Sequence, residues 1–232
     1  MAWVSSARER SLPDPSVLDI IRFANSLAGH YPPWKDQAMR QESFTADRLS
    51  AYTDAVFAVI VTIMVLELDP PEEATLAALK PLWPVAVSYA VSYLFLAIIW
   101  TNHHYLMRFV GPPSLRLIWI NFAHLFAVSL LPFVTAWVAR TQLASTPVAL
   151  YAMFFVCIDI AYNIFEHTIL AQADPASLPK PARRLARHRS LTVLAIFAAA
   201  VFVALVAPRL AVALICAALL LHLRPDVSPV RA

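Results

Sequence analysis

The stretch from Arg48 to Leu68, RLSAYTDAVFAVIVTIMVLEL, constrains the fold more than any other part of the chain. It begins with polar side chains and continues as an apolar run, and at a helical rise of about 1.5 Å per residue it spans roughly 30 Å, the thickness of a bilayer core. An ionised Asp54 inside such a span is costly unless it faces protein or water. Arg48 lies six positions earlier, which is the wrong spacing for a pair on one helical face. We therefore expect partners for Asp54 on other helices.

The composition indicates a polytopic membrane protein. Of the 232 residues, 60% are hydrophobic and only 14% are charged, whereas soluble domains carry about 25% charged residues. The apolar residues form long blocks, so the predicted fold class is all-α with six transmembrane helices. The predicted spans are 49–68, 82–107, 115–139, 147–170, 190–207 and 209–223, with a basic loop over 171–189.

The basic residues predict which side of the membrane each loop occupies. Cytoplasmic loops are enriched in Lys and Arg. If the N-terminus is cytoplasmic, only Lys80, Arg140 and Arg209 of the 18 basic residues lie outside. Five or seven spans would spoil this asymmetry, so we expect both termini to be cytoplasmic.

The predicted domain organisation has three parts. A polar N-terminal cytoplasmic extension covers 1–47, the six-helix domain covers 48–224, and a short tail covers 225–232. The first 20 residues contain five charged residues and no apolar core, so we expect no cleavable signal peptide.

Glycine and cysteine usage excludes several kinds of site. The two glycines, Gly29 and Gly111, lie outside the predicted spans, which excludes a GxxxG dimer face, a phosphate-binding loop and a carbonyl selectivity filter. Cys157 and Cys216 lie in apolar blocks, where buried thiols are favoured over the alternative of a disulfide. No HExxH motif is present, and we expect no metal, no cofactor and no nucleic-acid partner.

Polar residues on three predicted helices fall at the same depth, measured from the nearest arginines. Such a coincidence is typical of a buried network, because polar groups must satisfy one another where water is absent. We expect Asp54 and Thr53 to bond to an indole, an imidazole or an amide on the second and third helices. The candidate network comprises Arg48, Tyr52, Thr53, Asp54, Trp100, His103, His104 and Asn121.

Three interpretations of this network remain open. It holds the helices together and has no further role, or it also sets the register of the first helix, or it transfers protons or binds a metal. Metal binding is disfavoured because His103 and His104 are adjacent and point about 100° apart on a helix. Either histidine could be the network member. The fourth helix adds a polar stripe formed by Asp159, Asn163, Glu166 and His167.

Beyond Asp54, the first helix carries a second face. Val59, Thr62, Ile63 and Leu66 have the spacing of a single helical stripe, rotated away from Asp54. The spacing fits ordinary helix packing as well as a specialised surface, and periodicity does not distinguish the two.

The first-helix segment resembles the signature helix of the transmembrane protein 175 family of potassium channels, which has Arg, three residues, and then Phe-Ser-Asp. Arg48 and Asp54 match this pattern, while Tyr52 and Thr53 stand where Phe and Ser are usual. The resemblance continues through WTNHHYLMR at 100–108, then Asn121 and SLLPF, and so covers about residues 48 to 135.

The resemblance implies a potassium-permeable, weakly selective cation channel and not an enzyme. It implies that symmetry-related first helices line the pore, with Val59, Ile63 and Leu66 as hydrophobic constriction residues and Thr62 as a hydroxyl layer. A chain with one six-helix unit, the prokaryotic type, implies a homotetramer in the plasma membrane. Potassium would be the permeant ion, with a modest preference over sodium.

Two other functions are weighed against the channel. The first is a proton-coupled secondary transporter with a relay through buried acidic and histidine residues, although the inverted repeats and broken helices common in such proteins are largely missing. The second is a metal-dependent membrane enzyme, although no nucleophile or metal-ligand set has the required spacing. The transporter relay would use Asp54, His103, His104, Asp159 and Glu166.

Overall fold

The computed structural model describes residues 45–172 and 180–222. The predicted tail and nearly all of the predicted N-terminal extension lie outside these described residues. Within them the chain forms seven α-helices and one 3-10 helix, and no strand. The α-helices are α1 (Ala46–Leu66), α2 (Trp83–Met107), α3 (Leu115–Ser129), α4 (Leu131–Arg140), α5 (Ser145–Gln172), α6 (Lys180–Val206) and α7 (Pro208–His222), and the 3-10 helix is Leu76–Leu82.

Five helical segments are long and apolar enough to cross a membrane, with α3 and α4 counted as one segment. The protein is therefore an all-helical, multi-pass membrane protein. The last helix, α7, has only 15 residues, or about 22 Å at the helical rise, and it falls short of the usual spanning length. The sixth span and the cytoplasmic placement of the termini stay predictions.

Local signals at both ends define α1. The Thr45 hydroxyl caps its N-terminus by accepting a hydrogen bond from the Arg48 N–H at 3.3 Å, which satisfies one of the free donors of the first turn. The helix ends at Leu66, shortly before two prolines that cannot continue it. One face packs into the protein, formed by Leu49, Thr53, Phe57, Ile60 and Met64.

The third predicted helix is not continuous. The structure breaks it at Leu130 into α3 and α4, with Pro132 in the first turn of α4. Proline has no N–H to donate and clashes with the preceding turn. The Ser129 hydroxyl donates to the Phe126 carbonyl, and the Thr135 hydroxyl donates to the Leu131 carbonyl. These side chains supply hydrogen bonds to the backbone near the break, as a membrane interior requires.

The predicted basic loop over 171–189 is wrong in its second half. Helix α6 begins at Lys180, ten residues before the predicted span, and residues 173–179 lie outside the described part. Residues 180–189 consist mostly of Lys, Arg, Ala and Leu, which have high helix propensity. The helix of the span therefore extends into this basic segment.

The interior of the bundle is built around aromatic side chains from α2, α5 and α6. Phe95 stacks on Phe155 with ring centroids 4.0 Å apart, and Phe197 meets both rings edge-on. Helix α1 packs against α2, α3 and α4 at one side of this core. Its apolar segment is only 28% buried, compared with 50% for α5. Much of α1 is thus open for contacts outside the protomer.

A buried hydroxyl cluster joins α2, α4 and α5 beside the break. Because the Thr135 proton goes to the Leu131 carbonyl, Ser92 donates to Thr135 and Tyr151 donates to Ser92, each at 2.7 Å. Ser92 and Tyr151 are fully buried. The sequence analysis did not predict this cluster.

We expect Tyr151→Phe to lower the free energy of unfolding by about 0.5–1.5 kcal/mol, because the Ser92 oxygen loses its donor in a water-free interior. Thermal unfolding in detergent should show a Tm lower by a few degrees. Tyr93→Phe is the matched control, since Tyr93 is an exposed tyrosine next to Ser92 on α2. Equal Tm values for the two variants would contradict the role assigned to the cluster.

Candidate functional site

A chain of hydrogen bonds links three helices near the Arg48 end of the bundle. The Asn121 amide nitrogen on α3 donates to the Thr53 hydroxyl on α1 at 3.0 Å. The Asn121 amide oxygen lies 3.0 Å from His103 Nε2 on α2. Thr53 in turn donates to the Leu49 carbonyl at 2.9 Å. All three side chains of this polar chain are fully buried.

The geometry determines which atom of His103 carries the proton and donates the hydrogen bond. The amide oxygen is an acceptor, so His103 Nε2 carries the proton and donates it. The imidazole also stacks on Phe165 of α5, with ring centroids 4.8 Å apart. His103 is therefore held on two sides, and it ties the packed face of α1 to α2, α3 and α5.

Asp54 has a different partner. Its carboxylate accepts a hydrogen bond from the Trp100 indole at 2.7 Å, at the partly exposed edge of the protomer. His104 stacks on the same indole, with centroids 5.6 Å apart, and is exposed. The structure thus brings His103 into the polar chain and leaves His104 at the surface beside Trp100.

The two remaining candidates lie at the surface of α1. Tyr52 is exposed and meets the ring of Phe122 edge-on at 5.4 Å. The predicted network role implied a hydrogen bond for Tyr52. Among the described residues, the structure shows this aromatic contact instead. Arg48 lies exposed in the first turn of α1.

The stripe formed by Val59, Thr62, Ile63 and Leu66 points away from the core. Leu66 is 80% exposed, Val59 55% and Ile63 42%. Thr62 is also exposed, and its hydroxyl donates to the Val59 carbonyl at 2.8 Å. Interior packing within one protomer therefore does not account for this stripe.

At the other end of α1, an exposed ion pair joins the helix terminus to α4. Arg140 at the end of α4 donates to the Glu67 carboxylate at 2.8 Å. Beneath this pair lies an open groove of about 630 Å³ between α1 and the α3–α4 segment, lined by Ile63, Phe133 and Trp137 among others. The groove adjoins the exposed stripe.

The polar stripe of α5 lies apart from the Thr53–Asn121–His103 chain. Asn163 donates to the Asp159 backbone carbonyl and accepts from the Ser190 hydroxyl of α6. Asp159 is buried, whereas His167 is exposed. Ser190 was missed because a single serine at the edge of an apolar block carries no periodic signal.

Metal ligands do not gather in the described part of the chain. Within residues 45–172 and 180–222, no group of three or more His, Cys, Asp or Glu side chains has an arrangement that could hold an ion.

Comparison with known proteins identifies the family. The sequence profile described as the endosomal/lysosomal potassium channel TMEM175 matches residues 48–132. A potassium channel from Chryseobacterium sp. (strain P1-3) is 40% identical over 126 residues, which cover 54% of this chain and 66% of the relative. The chain belongs to the TMEM175 family. Another potassium channel, from Streptomyces collinus, is 31% identical over 124 residues, covering 50% of this chain and 60% of the relative.

A solved structure of a TMEM175 homologue shares the fold. The crystal structure of a lysosomal potassium-selective channel TMEM175 homologue from Chamaesiphon minutus superposes with a TM-score of 0.67. The match covers 77% of this chain and 96% of that one, at 23% sequence identity. At this identity the likeness establishes the fold alone.

Family membership excludes the metal-dependent enzyme considered above. TMEM175 is a family of ion channels, so the chain is not an enzyme. The matched segments span about two thirds or less of the two bacterial relatives. The profile match begins at Arg48, in the first turn of α1, contains α2 and α3, and ends at residue 132, just after the break at Leu130. The hydrogen-bonded chain of Thr53, Asn121 and His103 lies wholly within it.

We expect His103→Leu to destabilise the protein by about 1–3 kcal/mol, because it leaves the buried Asn121 oxygen without a donor. His104→Leu is the matched control, with an expected change within about 0.5 kcal/mol, because His104 is exposed. Thermal unfolding of both variants in one detergent measures the difference. A larger loss for His104→Leu would contradict the assignment of His103 to the polar chain.

Proposed function

We propose that this TMEM175 family member is a potassium-permeable, weakly selective cation channel of the plasma membrane. The observation that supports it is the orientation of α1, whose packed face holds Thr53 and whose opposite face exposes a stripe of bulky aliphatic residues and one threonine. In a channel family, an aliphatic stripe left open by the protomer fits a pore wall contributed by several subunits.

The proposed assembly is a homotetramer with four α1 helices around one axis. Helix α1 packs on α2, α3 and α4, at one side of the bundle, so it reaches an axis without displacing the aromatic core. The groove beside Ile63, Phe133 and Trp137 offers an apolar surface to a neighbouring subunit. The mass of the purified particle should correspond to four chains.

The proposed constriction works by excluding water. Rings of Val59, Ile63 and Leu66 side chains would surround a narrow apolar path that empties of water when closed, which blocks ions without a charged gate. Thr62 lies between these layers. Because its proton goes to the Val59 carbonyl, its oxygen lone pairs remain free to face a partly dehydrated cation. Oxygen ligands without a carbonyl filter fit a modest preference for potassium over sodium.

The polar residues would set the rotation of α1 in this assembly. The bond between Asn121 and Thr53 and the bond between Trp100 and Asp54 contact α1 from two directions. A helix held at both positions cannot turn its aliphatic stripe without breaking hydrogen bonds in a water-poor environment. The network would thus act as a positioning device for the pore wall.

We expect Leu66→Cys, in a background without Cys157 and Cys216, to become sensitive to a charged, water-soluble thiol reagent. Reaction should reduce potassium flux into liposomes, because the reagent adds a charged group to the pore wall. Val65→Cys is the matched control: Val65 is also exposed, at 47%, but its position is about 100° around the helix. Equal effects at the two positions would contradict a pore wall at Leu66.

We expect Thr62→Val to lower the potassium-to-sodium permeability ratio by about twofold or more, because it removes the only hydroxyl from the proposed constriction. Bilayer recordings of reversal potentials under bi-ionic conditions measure this ratio. Thr101→Val is the matched control, since Thr101 is an exposed threonine whose hydroxyl also bonds to its own helix, at the Ala97 carbonyl. An unchanged ratio in Thr62→Val would remove the threonine layer from the proposal.

The same recordings separate the channel from the proton-coupled transporter. A channel gives discrete single-channel current steps, and its ion flux does not need a pH gradient. A transporter using Asp54, His103, His104, Asp159 and Glu166 would give saturable uptake driven by that gradient. Uptake of the second kind, without current steps, would replace the channel proposal.

A further inference from the structure

A surface groove lies where one end of α3 meets the adjacent ends of α5 and α6. Two adjoining cavities of about 390 Å³ and 280 Å³ share Asn163, His167 and Leu191 in their walls. Arg187 belongs to the first cavity and Arg116 to the second. We call this continuous depression the α5–α6 groove.

The groove has a basic rim. Arg116, His167 and Arg187 are all exposed, and within the described residues none of them forms an ion pair or a side-chain hydrogen bond. Among the described residues that line the groove, Glu166 contributes the one carboxylate. Among the described lining residues, basic groups therefore outnumber acidic groups, which favours an anionic ligand.

The floor and the walls of the groove are suited to an amphiphile. Asn163 forms part of the floor, and its side chain is held by the Ser190 hydroxyl and the Asp159 carbonyl. Ile160, Ile164 and Leu191 line the walls and are between 43% and 50% exposed. A polar rim thus lies directly beside an aliphatic surface on membrane-spanning helices.

We propose that the α5–α6 groove binds an anionic phospholipid. The phosphate would lie between Arg116 and Arg187, whose planar guanidinium groups donate paired hydrogen bonds to phosphate oxygens. An acyl chain would lie along Ile160, Ile164 and Leu191. Basic pockets between transmembrane helices are suited to such headgroups, and the aliphatic wall distinguishes a lipid from a free anion.

This site is separate from the proposed ion path. Helix α1 packs on α2, α3 and α4, whereas the groove is formed mainly by α5 and α6, with Arg116 at the start of α3. Lipid binding is therefore measured without reference to ion flux, and failure of the channel proposal would leave the lipid proposal standing.

The test is a titration of the purified full chain in detergent with phosphatidylglycerol and, separately, phosphatidylcholine of the same acyl chains, followed by native mass spectrometry. We expect wild type to prefer phosphatidylglycerol. Arg116→Gln and Arg187→Gln should each weaken phosphatidylglycerol binding about fivefold, with little change for phosphatidylcholine. Arg187→Lys should retain most of the preference because it keeps the charge.

Arg108→Gln is the matched control. Arg108 is an exposed arginine at the end of α2, on the same side of the bundle but outside the groove. An equal loss of phosphatidylglycerol binding in this variant, or no loss in the Arg116 and Arg187 variants, would overturn the proposal. Displacement of the lipid by soluble glycerol phosphate at matched concentration would also overturn it, because the acyl chain would then contribute nothing. A density map that shows a second copy or residues 1–44 in the groove would do the same.

Discussion

Polar side chains inside an apolar span need partners within the protein, and this constraint organises the described structure around α1. Thr53 forms a hydrogen bond with Asn121, Asn121 forms one with His103, and Asp54 forms one with Trp100. The Thr53–Asn121 bond joins α1 to α3, the Asn121–His103 bond joins α3 to α2, and the Asp54–Trp100 bond joins α1 to α2. The rotation of α1 is thereby fixed by these bonds, of which those of Thr53, Asn121 and His103 are fully buried.

Two separate sets of contacts hold the rest of the bundle. Phe95, Phe155 and Phe197 form an aromatic core between α2, α5 and α6, and Ser92, Thr135 and Tyr151 join α2 to α4 and α5. Helix α1 takes no part in either set. This separation explains how one helix can present an open aliphatic stripe while the protomer keeps a complete core of its own.

The proline break contributes to the same arrangement. It divides the third span at Leu130, and the hydroxyl of Thr135, one turn further on, bonds to the Leu131 carbonyl and also accepts from Ser92. The break and the hydroxyl cluster therefore lie at the same place in the bundle. Further along, α4 carries Arg140, which reaches Glu67 and contacts the far end of α1. The segment after the break thus positions the end of the helix opposite to Asp54.

The sequence by itself determined the membrane class, the positions of α1, α2 and α5, and a candidate set of network residues, because span length and the cost of burying polar groups follow from composition and spacing. It did not determine the break before Pro132, since proline is tolerated in membrane helices when neighbours supply hydrogen bonds. The predicted start of α6 was also too late, at residue 190 instead of Lys180, because basic residues near a span are ambiguous between loop and helix.

Only the tertiary structure decided which adjacent histidine is buried, because the direction of a side chain depends on the rotation of α2 against α3 and α5. It also revealed the partners of Ser92 and Ser190, whose contacts join residues distant in sequence. The direction in which the Val59–Leu66 stripe points was likewise decided by packing: periodicity defines a face of a helix, but the neighbouring helices determine whether that face is covered.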